Sequence, residues 1–240
     1  MNSDRPRRPL GGTIQVAGVH DLAEAELLLA EGVDFLALPL RLPDGREDLS
    51  EEAARRLFAA LEGRVQRVLV TYLTDALALT RFADELGCDW LQLHGEVSKE
   101  TVAAVRRARP ELGLVVALPI AGEDPAPVLA RARSLAPSVD AFLTDTLDGE
   151  TGRRGATGRT HAWSVDRALV DARLAPVILA GGLDPANVAT AVTTVAPAAV
   201  DVHTGVEGPD GRKDPERVRR FVARAREALE AVHRRGGGEA

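Results

Sequence analysis

The 240-residue sequence has little cysteine and no long apolar run, and each shortage excludes a class of protein. Its one cysteine, Cys88, can form neither an intramolecular disulfide nor a thiolate metal cluster, and a reducing, cytoplasmic setting is the simplest interpretation. No stretch reaches the roughly 18 apolar residues that a membrane helix needs, and the basic N-terminus lacks the apolar core of a secretion signal. We therefore expect no membrane association.

An excess of positive charge is also missing. Lys and Arg number 30 against 36 Asp and Glu, whereas a nucleic-acid-binding protein usually presents a basic face, so we expect no nucleic-acid partner. Backbone N–H groups can still bind a small anion on an acidic protein. The five histidines lack the spacing of metal ligands, and there is no dinucleotide fingerprint, so we expect no metal and no cofactor.

Short β-branched runs alternate with longer helical stretches along the chain. Apolar runs without strict alternation are typical of parallel strands that are covered on both faces. The predicted strands are Thr13–Val16, Phe35–Leu38, Val65–Thr71, Trp90–Leu93, Leu114–Leu118, Ala141–Thr144, Val177–Leu179 and Ala199–Val202. The first four helices are predicted to begin after the capping side chains of Asp21, Ser50, Thr74 and Ser98. The later helices are predicted at Asp124–Leu135, Ser164–Arg173, Pro185–Val195 and Asp214–His233.

Eight strands, each followed by a helix without a linker-like break, predict an α/β fold with a single (β/α)8 TIM barrel over residues 13–233. An open doubly wound sheet is the alternative, and the strand count separates the two. Residues 1–12 and 234–240 are expected to be a disordered leader and a disordered tail.

Two glycine-containing segments predict a phosphate site. PVILAGGLDPANV places Gly181 and Gly182 at the end of strand seven, where glycine lets the backbone approach a ligand and the next helix N-terminus favours an anion. AVDVHTGVEGPDGRKD places four further candidates at the end of strand eight. They are Asp201, His203, Thr204 and Gly205. Loops after strands seven and eight are the usual phosphate site of such barrels, and a tight strand-to-helix turn is the alternative.

Other polar residues also fall at strand ends, where the active sites of barrel enzymes lie. His94 follows strand four and is either a site residue or a hydrogen-bonded packing residue. Asp145 ends strand six and is either a general acid or a solvated aspartate, and the glycine-rich loop after it contains Gly155. Arg41 and Arg46 follow strand two as a ligand clamp or as surface charge.

The segments LQLHG, PVILAGGLDPANV and VDVHTGVEGPDGRKDPERVRRF, in this order and at these spacings, resemble the phosphoribosylanthranilate isomerases of tryptophan biosynthesis. The similarity runs from about Thr13 to about Phe221. It implies a cofactor-free Amadori rearrangement, in which a phosphorylated aminoaldose becomes an aminoketose. In that family a general acid protonates the furanose ring oxygen, and a general base removes the proton from the second sugar carbon.

The resemblance implies that Asp145 is the acid and leaves the usual place of the base empty. The family's base is a cysteine in a Lys-x-Cys-Gly motif on the first strand, which here is Gln15-Val16-Ala17-Gly18. Alanine has no lone pair for a proton, and Cys88 is expected at the opposite, stability face of the barrel. His20 and His203 are the candidate substitutes, because a neutral imidazole accepts a proton near pH 7.

Other positions also depart from the family's pattern. The family's substrate-binding arginine has a loose match at Arg46, and its Gly-Gly-Thr-Gly loop is Gly155-Ala156-Thr157-Gly158 here. Where the family usually has two serines after the Asp-Val that ends strand eight, this chain has His203 and Thr204. We expect Arg46, His94 and Asp201 to bind substrate, while the glycine loops hold its phosphate. The residues expected to hold the phosphate thus largely match the family's pattern, whereas those expected at the reacting carbon atoms do not.

Three functions remain open. The first is a diverged isomerase with a substitute base, or a related enzyme of specialised metabolism in which Asp145 and Asp201 share the proton transfers. The second is an inactive homologue that binds a phosphorylated metabolite or a protein partner, although the presence of Asp145 and His94 favours catalysis. The third is an ordinary phosphoribosylanthranilate isomerase whose base lies elsewhere. We expect a small phosphorylated substrate and a monomer or homodimer.

Overall fold

A computed structural model describes residues 10–120, 122–146 and 163–236. Its strands are β1 (Thr13–Ala17), β2 (Phe35–Pro39), β3 (Gln66–Thr71), β4 (Trp90–Leu93), β5 (Gly113–Ile120), β6 (Ala141–Thr146), β7 (Val177–Leu179) and β8 (Ala199–Val202). Its α-helices are α1 (Leu22–Ala30), α2 (Glu51–Ala60), α3 (Ala76–Leu86), α4 (Lys99–Ala108), α5 (Ala126–Leu135), α6 (Trp163–Asp171), α7 (Val188–Val195) and α8 (Pro215–Gly236). The eight strands are parallel and close into a barrel in chain order. This closure confirms the (β/α)8 barrel and excludes the open doubly wound sheet.

The element boundaries differ from the predicted ones at many ends, by one to three residues. Asp75, rather than Thr74, caps α3, because its carboxylate accepts the N–H of Ala78 at 2.8 Å. The chain is already packed before Thr13, since Leu10 is buried inside the barrel and its carbonyl accepts a hydrogen bond from the Thr13 hydroxyl. At the other end α8 continues to Gly236, beyond the predicted limit at His233. Among the described helices, none combines the length and the apolar character needed to cross a membrane.

The strands carry two apolar surfaces. Outward side chains such as Ile14 and Val16 pack with the helices into one large cluster. Inside the barrel the bulky Phe35 and Trp90 pack edge to face, with ring centroids 5.5 Å apart, near the N-terminal ends of their strands. The inner positions at the C-terminal ends are small, namely Ala17, Ala117 and Ala180. This gradient fills the base of the barrel and leaves room at the mouth, where the C-terminal ends of the strands meet.

Three aspartates fasten the base of the barrel, and each directly precedes an even-numbered strand. Asp34, Asp89 and Asp140 accept backbone N–H bonds from the neighbouring odd-numbered strands, at distances of 2.9, 2.9 and 2.8 Å. Each of the three carboxylates also pairs with an arginine. The base therefore joins adjacent strands through charged groups that have defined partners.

Candidate active site

Polar side chains cross the interior of the barrel just below its mouth. Gln15 on β1 donates through Nε2 to Gln92 Oε1 on β4 at 2.9 Å, and Gln92 Nε2 lies 2.8 Å from His94 Nε2. An amide nitrogen only donates, so this His94 nitrogen accepts, and the neutral ring then carries its proton on Nδ1. His94 Nδ1 lies 3.7 Å from Asp145 Oδ2. The chain of amides thus orients His94 toward the aspartate that ends the inner wall of β6.

Asp201 lies at the other end of this chain of polar groups. It pairs with Gln15 in the β1–β8 register, and the Gln15 side chain hydrogen-bonds its carboxylate. Burial, opposed by that hydrogen bond and by His94, raises the pKa of Asp201 to about 6. Within the described part of the chain, Asp201 Oδ1 is buried and has no hydrogen-bond partner. Asp201 is therefore a carboxylate that titrates near neutral pH and keeps one oxygen uncommitted.

A second group of charged and titratable side chains lies where β1, β2 and β8 end, and we call it the mouth cluster. Its members are His20, Asp48, His203, Glu207 and Lys213. His203 Nε2 lies 3.3 Å from Glu207 Oε1 and 4.0 Å from Asp48 Oδ2. The fully buried Lys213 ammonium donates to Glu207 Oε1 at 2.6 Å and to the His203 carbonyl at 3.2 Å.

The mouth cluster has unusual acidities. Burial, reinforced by the charge of Lys213, lowers the pKa of His203 to about 3, so its ring is neutral at pH 7. Burial also raises the pKa of Asp48 above its ordinary range, against the opposing influence of His20 and Lys213. Perturbed acidities of this kind are typical of functional sites.

His203 reaches the end of the first strand by packing against Gly18. A Cβ at position 18 would lie 2.0 Å from His203 Nε2, and the Gly18 φ of +72° is in the left-handed region. Only glycine meets both requirements without strain. The imidazole therefore lies against the residue that follows Ala17, the position at which the resemblance placed the base.

The loops after β7 and β8 are pressed together. A Cβ at Gly205 would lie 1.9 Å from the Leu183 carbonyl oxygen, so glycine is required there. Gly181 and Gly182 have φ angles of 89° and 64°, and the Asn187 side chain donates to the Gly182 carbonyl at 2.8 Å. The predicted phosphate residues of these two loops are thus adjacent, with Thr204 exposed beside them. Gly155, the remaining predicted phosphate residue, lies outside the described residues.

The segment after β2 contributes a residue that the sequence did not single out. Arg46 is 74% exposed and pairs with Asp44 at 3.2 Å. Arg41 pairs with Glu51 and lies 3.6 Å over the Phe82 ring. The residue of this segment that joins the mouth cluster is Asp48, which lies near His20 and His203. Substrate binding by Arg46 stays a prediction.

Sequence reasoning also missed the two glutamines and Lys213. A polar residue in the middle of an apolar strand, as in TIQVA and WLQL, was the available signal for Gln15 and Gln92. Lys213 gave no comparable signal, because its burial depends on contacts between loops. Cys88 lies just before β4, at the base, and burial raises the pKa of its thiol to about 12. Among the described residues, no three His, Cys, Asp or Glu side chains are grouped as a metal site.

A family model for N-(5'-phosphoribosyl)anthranilate (PRA) isomerase matches residues 16–224. The N-(5'-phosphoribosyl)anthranilate isomerase of Haloferax volcanii is 42% identical over 91% of this chain and 95% of its own length. The corresponding protein of Methanothrix thermoacetophila is 38% identical over 89% and 97%. The match therefore covers the barrel as a whole and extends through the mouth residues described above.

Solved structures give the same result. The phosphoribosylanthranilate isomerase of Thermotoga maritima superposes with a TM-score of 0.76 and 28% identity, over 90% of this chain and 98% of that one. A second structure, with a TM-score of 0.73 and 26% identity over the same shares, is a complex with reduced 1-(o-carboxyphenylamino)-1-deoxyribulose 5-phosphate. A third describes generated monomers of the dimeric Thermotoga maritima enzyme.

Proposed function

The chain belongs to the N-(5'-phosphoribosyl)anthranilate isomerase family, and on that premise we propose that it converts a phosphorylated N-substituted aminoaldose into the corresponding aminoketose. The observation that carries the proposal is the placement of Asp145, 5% exposed, at the mouth with His94 directed at it. A protein that only binds a ligand has less need of a carboxyl group placed in this way. The proposed setting is tryptophan biosynthesis in the cytoplasm, by a monomer or a homodimer.

Asp145 is the proposed general acid. The ring oxygen of the substrate needs a proton as its bond to the first sugar carbon breaks, and a carboxyl group at the mouth can deliver it. His94, which contacts Gln92, lies with Nδ1 3.7 Å from Asp145 Oδ2 and so places a polar side chain beside the proposed acid. His94 and Asp201 are proposed to contact the sugar, because they lie on opposite sides of the same lumen.

The phosphate is proposed to bind at the paired loops after β7 and β8. Gly181, Gly182, Thr204 and Gly205 lie there, and Gly155 is proposed to join them. Glycines let backbone N–H groups approach phosphate oxygens closely, without a lysine or arginine at the site. The related protein solved with a ribulose 5-phosphate derivative binds a ligand of this class.

A second function is favoured by one observation, the alanine at position 17. Losing a general base typically slows proton transfer by about 10²–10⁴-fold without disturbing ligand binding. A homologue that only binds a phosphorylated metabolite would therefore keep the phosphate site and tolerate Ala17. The isomerase proposal needs a substitute base, for which the sequence offers His20 and His203 as candidates, whereas the binding function needs none.

The test is steady-state turnover of N-(5'-phosphoribosyl)anthranilate by the wild type, Asp145→Asn and Ala17→Cys. We expect wild-type turnover, a loss of about 10²–10⁴-fold in kcat in Asp145→Asn, and competitive inhibition by inorganic phosphate. The matched control is Asp171→Asn, an exposed aspartate on α6 that pairs with Arg167. Binding without turnover in the wild type, with turnover in Ala17→Cys, would contradict the isomerase proposal and support the binding function.

A further inference from the structure

The inner wall of the barrel carries a carboxylate next to the strand position that lacks a base. β8 pairs directly with β1, and Asp201 is opposite Gln15, one inward-facing position below Ala17. We propose that Asp201 removes the proton from the second sugar carbon, in place of the thiolate that Ala17 cannot supply. This inference rests on the proposed isomerase function and names the residue that completes it.

Access to Asp201 depends on the small side chain above it. Alanine extends no further than Cβ, so position 17 itself adds no larger side chain above Asp201. Asp201 is partly exposed although it points into the barrel, which means that solvent reaches it through the mouth. A sugar carbon bound at the mouth can approach by the same route.

The hydrogen bonds of Asp201 leave it ready to accept a proton. Gln15 hydrogen-bonds the carboxylate, and this bond lowers its pKa. Oδ1 is buried and has no partner among the described residues. A buried carboxylate oxygen without a donor is costly for a folded protein, and such a group needs an explanation. An oxygen reserved for the substrate's proton provides one.

The two histidines are poorer acceptors. Both ring nitrogens of His20 face carboxylates, with Nδ1 3.1 Å from Glu24 and Nε2 3.7 Å from Asp48. His203 Nε2 faces Glu207 at 3.3 Å. A ring nitrogen that faces a carboxylate is less available to the substrate's proton. With a pKa of about 3, His203 is also a weak base at neutral pH.

The pKa of Asp201 suits a general base that works near pH 7. Its pKa of about 6 leaves it mainly ionised at pH 7, and yet it is more basic than an ordinary carboxylate. The groups that face it are Gln15 on β1, His94 after β4, Asp145 on β6 and Lys213 after β8. His94 and Lys213 lower its pKa and Asp145 raises it, but burial is the largest influence.

The reaction then balances between two carboxyl groups. Asp145 protonates the ring oxygen while the nitrogen lone pair forms the C=N bond and the bond from the first carbon to the ring oxygen breaks. Asp201 takes the proton of the second carbon, and the electrons of that C–H bond form the C=C bond as the C=N pair returns to nitrogen. The enaminol tautomerises to the ketone by losing its hydroxyl proton and gaining one at the first carbon. No oxidant, reductant or cofactor takes part.

The experiment compares turnover by the wild type, Asp201→Asn, Ala17→Cys, the double variant Ala17→Cys/Asp201→Asn and Asp145→Asn. We expect Asp201→Asn to lose at least about 100-fold in kcat, and the added thiol to restore at least about tenfold in the double variant. Rescue from a different strand shows that the lost function was proton acceptance rather than folding. Ala17→Cys/Asp145→Asn is the control, and it should show no rescue.

The pH profile gives the direction of proton transfer. For the wild type we expect kcat/KM to rise with pH through about 6, because the base must be ionised. In the double variant the rise should move toward the ordinary thiol range, near about 8.5. A wild-type profile that falls with rising pH through 6 would make Asp201 an acid and overturn the inference.

Failure of this inference differs from failure of the proposed function. Wild-type turnover with kcat of Asp201→Asn within about threefold would overturn the role of Asp201 and leave the isomerase function intact. An inactive Asp201→Asn that gains nothing from Ala17→Cys, while Ala17→Cys alone is active, would assign Asp201 to binding and also overturn it. Equal inactivity of the wild type and Asp145→Asn would overturn the isomerase function, and this inference with it.

Discussion

Aspartates at the two ends of the barrel have opposite surroundings. At the base, Asp34, Asp89 and Asp140 each accept a hydrogen bond from a backbone N–H group and form an ion pair with an arginine. At the mouth, Asp201 keeps one buried oxygen without a partner, and Asp48 is no closer than 3.7 Å to the nearest histidine nitrogen. The carboxylates at the base of the barrel connect adjacent strands. Those at the mouth destabilise the folded protein when they are ionised.

The difference agrees with the roles proposed for the two ends. A carboxylate that is paired in the folded state favours folding. A carboxylate that is to exchange protons with a ligand must keep an oxygen without another donor and an acidity near the working pH, and both requirements oppose tight pairing. A substitution of Asp89 at the base should therefore lower stability and leave activity unchanged. A substitution of Asp201 at the mouth should raise stability and lower activity.

The largest expected effect on stability is at the base, in Asp89→Asn. Arg67 is 8% exposed on its side chain and makes two hydrogen bonds of 2.9 Å to the Asp89 carboxylate, which an amide cannot replace. Removing one partner of a buried pair leaves an uncompensated charge. We expect a loss of about 3 kcal/mol in the free energy of unfolding, measured by urea denaturation, with kcat unchanged.

The control for Asp89→Asn is Glu51→Gln. Glu51 makes a similar two-bonded pair with Arg41, at 2.8 and 3.2 Å, but both side chains are more than a third exposed. An exposed pair contributes about 0–1 kcal/mol, so this variant should lose much less stability. Equal losses in the two variants would contradict the special role of the base.

The sequence predicted the fold because its signals are local. Side chains such as Ser50 and Ser98 cap helices where the sequence indicated, and β4, β7 and β8 have the predicted bounds. β1 and β2 each extend one residue further, to Ala17 and Pro39, because their pairing partners continue there. Hydrogen bonds between strands set these ends, and one strand's sequence does not contain them.

The candidate site was predictable only in part. Asp145, His94 and His203 could be placed at the mouth because the C-terminal ends of parallel strands converge in a barrel. Asp48 could not, since its position depends on the path of a loop. The acidity of Asp201 could not either, because it depends on burial and on charges from three other strands and loops.

The second expected effect is on acid stability and concerns His203. Its pKa of about 3 lies below the ordinary 6.5, so below pH 6.5 the unfolded chain takes up a proton that the folded ring refuses. Stability is therefore lost as the pH falls from 6.5 toward 3. Because 28% of the side chain is exposed, screening reduces the effect, and we expect about 1–2 kcal/mol.

His203→Gln, which does not titrate, should lose less stability than the wild type between pH 7 and 4. The measurement is urea denaturation at intervals of pH. Above pH 7 the two curves should run parallel, which serves as the internal control. Parallel curves down to pH 4 would show that the folded ring titrates normally and would contradict the burial argument.

The last expected effect has the opposite sign to that of Asp89→Asn and concerns Asp201→Asn. A folded pKa of about 6, against the ordinary 3.8, means that the ionised carboxylate destabilises the protein above pH 6, and this cost vanishes as the pH falls to 4. Asparagine keeps an oxygen for Gln15 and carries no charge. After a discount for partial exposure, we expect Asp201→Asn to be more stable than the wild type by about 1–2 kcal/mol at pH 7.5, and equal to it at pH 4. Lower stability at pH 7.5 would show that Asp201 is a structural carboxylate like Asp89, and the contrast between the two ends of the barrel would fail.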